Sequence, residues 1–515
     1  MSSTSSDVVV DPAPSAPAPR ALPNGLAAFL VFLSSGAVLV LETVSLRLVG
    51  PYVGVTLQVT SSVIGMALGA IAYGAWMGGW LADRRDPRGL LAPALVLAGI
   101  ATAITLPIVR YAGEALRGGA ASAVLLLTAL AVLVPAGLLA AVTPLVVKLQ
   151  LADLRRTGQV VGRLSGIGTL GGITATLVTG FVLVAALPST VIVLGLAAVL
   201  GATGLALGAY LRRRAGALPG PARGKAALAV VGLAAAGLAA VAPNPCDVET
   251  AYHCAKVQVD PRWSEGRYLY LNSAQHSYVN LADPTHLEYA YTQWIGLVAD
   301  VATPTGQRLD ALHLGGGGFT VPRYLAATRP DTDNLVFEID GGLVDLDRRE
   351  LGVRTGPRLR ATVGDARVLL GAEPTDSRDF IVGDAFGHLV VPWHLATREM
   401  AAEIRRVLRP NGIYVQNVID MPPGRFIRAE LATVAAEFRY VAAIAPPGAF
   451  AGRQGANFLI VAADTPLPLA AIQARLPTLP DEAGLMHDAE LAAFVKGALV
   501  LTDDYAPVDQ LLATA

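Results

Sequence analysis

Four consecutive glycines, Gly315 to Gly318, follow directly on the apolar run Arg308-Leu-Asp-Ala-Leu-His-Leu314. Glu338 and Asp340 come about twenty residues later, at the end of a second apolar run, Asn334–Ile339. Glycines let backbone N–H groups come close to a ligand, and a helix N-terminus behind them adds partial positive charge. An acid at the end of the next strand can accept both hydroxyls of a ribose. Two further acids stand after two further apolar runs: Asp365 in Gly364-Asp365-Ala366, after Leu359–Val363, and Asp384, after Asp379-Phe-Ile-Val-Gly383. In sheets of this kind an acid at the position of Asp365 meets the exocyclic amine of adenine, and Asp384 reaches the edge where ligands bind. The chemistry expected is nucleoside binding, by Gly315, Gly316, Gly317, Glu338, Asp340, Asp365 and Ala366.

The elements that must position these groups can be read in order. Tyr268–Asn272 and His276–Leu281 alternate as a hairpin does, and His286–Val301 has helical spacing. Strand, glycine turn, helix Val321–Thr328, strand and acid then form the first βαβ unit of a doubly wound sheet. Pro392–Leu408 reads as a helix closed by Arg409-Pro410-Asn411-Gly412, and Ile413–Val418 as a fifth strand. The fold class expected is α/β, a Rossmann-like, methyltransferase-type doubly wound sheet preceded by a small β-hairpin region. His313 in the first strand reads as a satisfied buried histidine, and His388 and His394 beside Trp393 as surface or cap groups. HExxH, Walker and GxSxG patterns do not occur, and no metal site is expected.

The rest of the chain is of another kind. Of 515 residues, 53% are hydrophobic and only 15% charged, against about a quarter charged in a soluble domain, so part of the chain belongs in lipid. Residues 24–243 are nearly free of acids and hold seven apolar runs, near 26–48, 58–81, 90–109, 121–146, 165–186, 188–210 and 226–242. A bilayer-spanning helix needs about 20 such residues, and the seventh run is short and mostly Ala, Gly and Val. The domains expected are a disordered tail over 1–23, a polytopic membrane domain over 24–243 with the lipid bilayer as its partner, and a soluble domain over 244–515.

Basic residues cluster after the second run (Arg84, Arg85, Arg88), the fourth (Lys148, Arg155, Arg156, Arg163) and the sixth (Arg212, Arg213, Arg214, Arg223, Lys225), which places the N-terminus in the cytoplasm. If the seventh run spans, the soluble domain is extracytoplasmic. The chain's two cysteines, Cys246 and Cys254, lie just after that run. They are either unpaired small residues or a short disulfide-closed loop, which persists only in an oxidising compartment. Glu42 and Arg47 lie within the first run, where ionisable groups usually face a partner or a water-filled cavity. A net charge of -1 provides no basic field, so nucleic acid is not an expected partner.

With the motifs LGGGG, FEID, VGDA, DFIVGDAF and LRPNGIYVQNV in this order, the chain resembles the spermidine synthase family of polyamine aminopropyltransferases. Leu41-Glu42, Arg47, Pro51-Tyr52, the Gly79–Arg85 loop and Leu501-Thr-Asp-Asp-Tyr-Ala-Pro507 resemble the membrane-fused bacterial relatives of that family. The resemblance implies a cell-membrane transferase of polyamine biosynthesis. Its co-substrate would be an S-adenosylmethionine-type nucleoside, the decarboxylated form, with no tightly bound cofactor. The acceptor would be a small amine such as putrescine, and the assembly a homo-oligomer. It implies ribose recognition by Glu338, adenine recognition by Asp365 and a catalytic base at Asp384. Gln275 or His276 would contact the nucleoside, and Tyr289 and Tyr291 would line the amine pocket. Two departures stand out. Gly318 and Gly387 replace the acids that hold cationic amino groups in the family, and charge-assisted contacts carry much of such recognition. Methyl transfer from S-adenosylmethionine to an envelope molecule, and non-catalytic binding or transport of a polyamine or nucleoside, are therefore competing expectations.

Overall fold

The computed structural model describes residues 22–512 except 118–120, 152–153, 216–229, 233, 236, 240 and 388. The N-terminal tail, Arg223, Lys225 and His388 lie outside the described residues. The chain divides into two compact units: 1–48, 61–112 and 124–243 in the first, and 49–60, 113–123 and 244–515 in the second.

Among the described residues, six helices are long and apolar enough to cross a membrane: α1 (Asn24–Val53), α2 (Leu57–Arg84), α3 (Pro87–Ala115), α4 (Ser122–Gln150), α5 (Thr157–Ala186) and α6 (Ser189–Arg214). The seventh apolar run falls partly outside the described residues, and its described part is a shorter helix, Val230–Ala239. Its described residues meet α3 at two places. A Cβ on Gly232 would lie 3.9 Å from Ile100 in mid-helix, and the buried Arg110 near the helix end donates to the carbonyls of Ala239 and Ala242 at 3.5 and 3.3 Å. Arg110 also donates to Thr190 Oγ1 at 2.8 Å, at the start of α6.

In a bilayer such helices would have no hydrophobic drive towards one another, and close backbone contact at small residues would do that work. Three pairs show it. A Cβ on Gly171 of α5 would come within 2.3 Å of the Phe32 carbonyl oxygen in α1. One on Gly74 of α2 would come within 2.2 Å of the Gly137 oxygen in α4, and one on Gly99 of α3 within 2.8 Å of the Ala197 oxygen in α6. Gly65 and Gly69 of α2 meet nothing within 4 Å.

The second unit contains two sheets. The small one is an antiparallel meander, β1 (Val248–Glu249), β2 (Cys254–Val259), β3 (Gly266–Leu271) and β4 (Ala274–Asn280). The large one has eight strands: β5 (Ala311–Leu314), β6 (Asn334–Glu338), β7 (Leu359–Val363), β8 (Arg378–Gly383), β9 (Leu408–Asp420), β10 (Tyr440–Ala445), β11 (Ala456–Ala463) and β12 (Gly484–His487). Their spatial order is β12-β10-β11-β9-β8-β5-β6-β7. β7, β6, β5, β8 and β9 pair in parallel, and β11, β10 and β12 add on antiparallel. β5 is buried at every residue, as a strand covered on both faces must be. The chain steps from β5 outward to β6 and β7 and then returns to β8, which puts a topological switch between β5 and β8.

Two layers of helix cover the sheet. On one face α7 (Ala290–Ala302) and α8 (Thr320–Thr328) pack against Phe380, Val382, Val415 and Leu459. On the other, α10 (Ala366–Leu370), α11 (Arg398–Val407) and α12 (Arg425–Ala435) pack on Leu312, Ile381, Tyr414 and Phe458. Between them in sequence, α9 (Gly341–Glu350) buries Leu343 and Leu346 against Ala255, Leu269 and Leu271 of the meander.

Local departures from the sequence expectations have local causes. α7 starts at Ala290 rather than 286, because Tyr289 is extended and His286 is engaged with Glu288 at 3.0 Å. The helix expected over 392–408 breaks into a short 3-10 turn, Trp393–Leu395, and α11, because Thr397 intervenes as an N-cap accepting from the Met400 N–H. β9 begins at Leu408, and its pairing with β8 jumps from Leu408 opposite Arg378 to Ile413 opposite Phe380, so Arg409 to Gly412 bulge out of the ladder. The helix contacts generate a prediction. Gly74→Val or Gly171→Leu should destabilise the first unit by about 1–3 kcal/mol through overpacking, whereas Gly65→Ala should be near neutral. Thermal unfolding of the detergent-solubilised protein measures both.

Candidate active site

The glycine turn and Asp384 meet because β5 and β8 are neighbours. Gly315 takes a φ of +96°, and a Cβ there would sit 2.3 Å from the Asp384 carbonyl oxygen. Only glycine lets the two strand ends approach so closely. The Gly315 N–H donates to the Phe337 carbonyl at 2.8 Å and the Asp384 N–H to the Leu314 carbonyl at 2.9 Å, so three strand ends are tied at one point.

A cleft of 1080 Å³ opens above this point, within the second unit. Gln275, His276, Tyr289, Tyr291, Gly315, Gly316, Gly317, Glu338, Asp365, Ala366 and Asp384 all line it. Glu338 organises the glycine-turn end of the cleft. Its Oε2 accepts the N–H groups of Gly316 and Gly317 at 2.8 and 3.3 Å, and its Oε1 accepts the Asp340 N–H at 3.0 Å. Asp365 caps α10 through the Arg367 N–H at 2.8 Å, and its Oδ2 lies 3.2 Å from His394 Nε2. His394 thus lines the cleft. The segment Leu501–Pro507 braces this corner, since Asp503 accepts from Arg367 and Thr397, both at 2.7 Å.

Asp340 departs from expectation. It does not line the cleft; it is 1% exposed and is the N-cap of α9, accepting the Gly342 and Leu343 N–H groups at 3.1 and 3.2 Å. Its other carboxylate oxygen faces Thr250 and His253. Those two residues belong to a turn closed by a disulfide between Cys246 and Cys254. His313 is buried and bonded to Asn334 Oδ1 at 3.1 Å, and burial lowers its pKa to about 4, leaving it neutral.

At the other end Asp384 is half-buried, and Asn417 Nδ2 donates to its Oδ1 at 2.8 Å. Asn457 Nδ2 supports Asn417 in turn, at 2.9 Å, so adjacent strands β9 and β11 orient the carboxylate in relay. Tyr291 makes a side-chain hydrogen bond to Asp384, while Tyr289 is held by Gln275 at 2.6 Å. Desolvation raises the Asp384 pKa to about 6, and the bonds from Asn417 and Tyr291 restrain the rise. A carboxylate so placed is ionised at pH 7 and yet basic enough to take a proton. Neither asparagine was found from the sequence; an Asn inside an apolar strand, in YVQNV and in ANFLI, is the signal that marks them.

The two glycine departures differ in kind. Gly318 is buried and donates its N–H to Ser277 Oγ at 3.0 Å; a Cβ there would press to 2.9 Å on Ser277 Cβ. Gly387 is exposed, and a Cβ would meet only the Val390 oxygen, at 3.9 Å. The first place is filled and the second is open.

The hydrogen bonds on Asp384 yield a prediction. Tyr291→Phe removes a bond that favours the carboxylate, so the Asp384 pKa should move above about 6, and Asn417→Leu should act in the same sense. At fixed pH below 7 a larger fraction is then protonated and inactive as a base. The pH–rate profile of each variant, or infrared titration of the carboxyl, reads the shift; a midpoint unchanged in both variants contradicts it.

No family model matches the chain. A polyamine aminopropyltransferase of Vibrio vulnificus is 33% identical over 119 residues, 23% of this chain and 39% of that relative's length. Among solved structures, a probable spermidine synthase from Corynebacterium glutamicum is 29% identical, covering 50% of this chain and 95% of that one, with a TM-score of 0.47. Spermidine synthase from Thermotoga maritima is 14% identical, covering 47% and 80%, with a TM-score of 0.34. Human methyltransferase-like protein 13, in complex with SAH, is 16% identical, covering 42% and 99%, with a TM-score of 0.30. The sequence match spans well under half of the curated relative, and over that stretch the chain is similar to a polyamine aminopropyltransferase.

Proposed function

We propose that the protein is a membrane-bound aminopropyltransferase, taking decarboxylated S-adenosylmethionine as donor and a diamine such as putrescine as acceptor. The observation that carries the reading is one cleft with Glu338 and Asp365 at one end and Asp384, raised to about 6 and oriented by Asn417, at the other. In this reaction the acceptor nitrogen attacks the methylene carbon beside the sulfonium. The new C–N bond forms as the C–S bond breaks, its electrons return to sulfur, and methylthioadenosine leaves. The attacking nitrogen must first be free of its extra proton, and Asp384 is the group that receives it. Asp481 and Glu482 also line the cleft and offer carboxylates to a cationic acceptor in place of those missing at Gly318 and Gly387.

The glycine at 387 and the filled site at 318 favour a second reading, methyl transfer from S-adenosylmethionine to an envelope substrate, because neither supplies a counter-charge for an amine. As to placement, the approach of Gly232 to Ile100 and of Ala239 and Ala242 to Arg110 of α3 supports a seventh crossing that leaves the C-terminal unit extracytoplasmic. The basic residues after α2, α4 and α6 support a cytoplasmic N-terminus.

Purified protein given the decarboxylated donor and putrescine should form methylthioadenosine, with Asp384→Asn lowering kcat by about 10²–10⁴-fold. Methyl transfer from S-adenosylmethionine, with no turnover of the decarboxylated donor, decides for the second reading. Because residue 387 is sterically open, Gly387→Asp should lower the KM for the diamine without loss of fold. Rate should fall as pH drops through about 6, the side on which Asp384 gains its proton.

A further inference from the structure

The disulfide-closed turn between β1 and β2 reaches the nucleoside end of the cleft through one buried carboxylate. Cys246 and Cys254 are bonded and are 4% and 6% exposed. Val248 and Glu249 pair with Ala255 and Cys254, and the Thr250 N–H donates to the His253 carbonyl at 2.8 Å, so residues 250–253 form a tight turn. Within it Thr250 Oγ1 accepts the N–H groups of Tyr252 and His253 at 3.2 and 2.8 Å. Its hydroxyl then donates to Asp340 Oδ2, and His253 Nδ1 lies 3.1 Å from the same oxygen. The turn fits closely, since a Cβ on Gly342 would meet Thr250 Cγ2 at 2.9 Å.

Asp340 is two bonds from the ligand groups. Its N–H holds Glu338 Oε1, and Glu338 Oε2 holds the N–H groups of Gly316 and Gly317. Burying a carboxylate without partners is costly. Burial alone would push Asp340 upward, and the hydrogen bonds from His253 and Thr250 more than offset it, keeping the group ionised. Nearby Asp347 has no such donors, and there desolvation drives the carboxyl well above its ordinary range. His253 also lines the cleft beside Glu338.

We propose that Thr250 and His253 are positioning residues of the nucleoside site: presented by the disulfide-closed turn, they fix Asp340, and through it the orientation of Glu338 towards a ribose. The inference rests on the nucleoside-binding part of the proposed function. It extends the site to a segment with no glycine or acidic motif of its own, and it makes ribose recognition depend on the oxidised state of Cys246 and Cys254. Reduction by a dithiol, which opens the bond to two thiols as the dithiol closes to its own disulfide, should loosen Glu338 without altering Asp384.

The test is calorimetry on the full chain in detergent, with 5′-methylthioadenosine and its 2′-deoxy analogue as probes. Thr250→Val should weaken methylthioadenosine binding by about tenfold, the loss of one charge-assisted hydrogen bond. It should weaken the deoxy analogue little, so the preference for ribose shrinks. Thr250→Ser keeps the hydroxyl and should bind as wild type; His253→Leu should repeat the Val result, and His253→Gln should restore part of the affinity. Reduction of the wild type should act like Thr250→Val. Equal losses for both probes would reveal a merely structural turn and overturn the inference, as would wild-type affinity in Thr250→Val and His253→Leu. A wild type that binds neither probe removes the nucleoside reading itself, and this inference with it.

Discussion

The meeting of Gly315 with the backbone of Asp384 is the contact on which the C-terminal unit depends. A glycine at positive φ lets the end of β5 come against the end of β8 with no side chain between them. From that point β6 and β7 fan out on one side, bringing Glu338 and Asp365, and β8 and β9 on the other, bringing Asp384 and Asn417. A side chain at 315 would separate Asp384 from the glycine turn. The apolar layers on both sheet faces then make the arrangement rigid, because β5 and β8 have nowhere to move.

Electrostatics divides the cleft. At the glycine-turn end Glu338 accepts three backbone N–H groups, from Gly316, Gly317 and Asp340. At the far end Asp384 is held by Asn417, and desolvation raises its pKa to about 6. The chain Asp384–Asn417–Asn457 shows how the sheet sets that support, one strand at a time.

Much of this was legible in the sequence where one residue type has few structural uses. The glycine run, Glu338, Asp365 and Asp384 follow strands directly, and the parallel register carries each to the same edge. Asp340 was harder to read. It stands two residues from Glu338 in the same motif, yet helix geometry turns it into a cap, and its partners Thr250 and His253 are 90 and 87 residues and more than one fold element away in sequence. Asn417 and Asn457 are marked in the sequence only as polar residues inside apolar strands; their partners come from lateral strand neighbours, which order along the chain does not reveal. In the membrane unit, hydropathy marks which segments are long and apolar, whereas the pairing of α1 with α5, α2 with α4 and α3 with α6 depends on which glycines face which carbonyls.

The contact between Ser277 and Gly318 has a consequence for the charge pattern of the cleft. A carboxylate at this place would draw a cationic ligand group and repel an anionic one, whereas a hydroxyl already committed to a backbone N–H does neither. The wall beside the glycine turn carries no side-chain charge there, so any sorting of ligands by charge falls to carboxylates elsewhere on the cleft, among them Asp481 and Glu482.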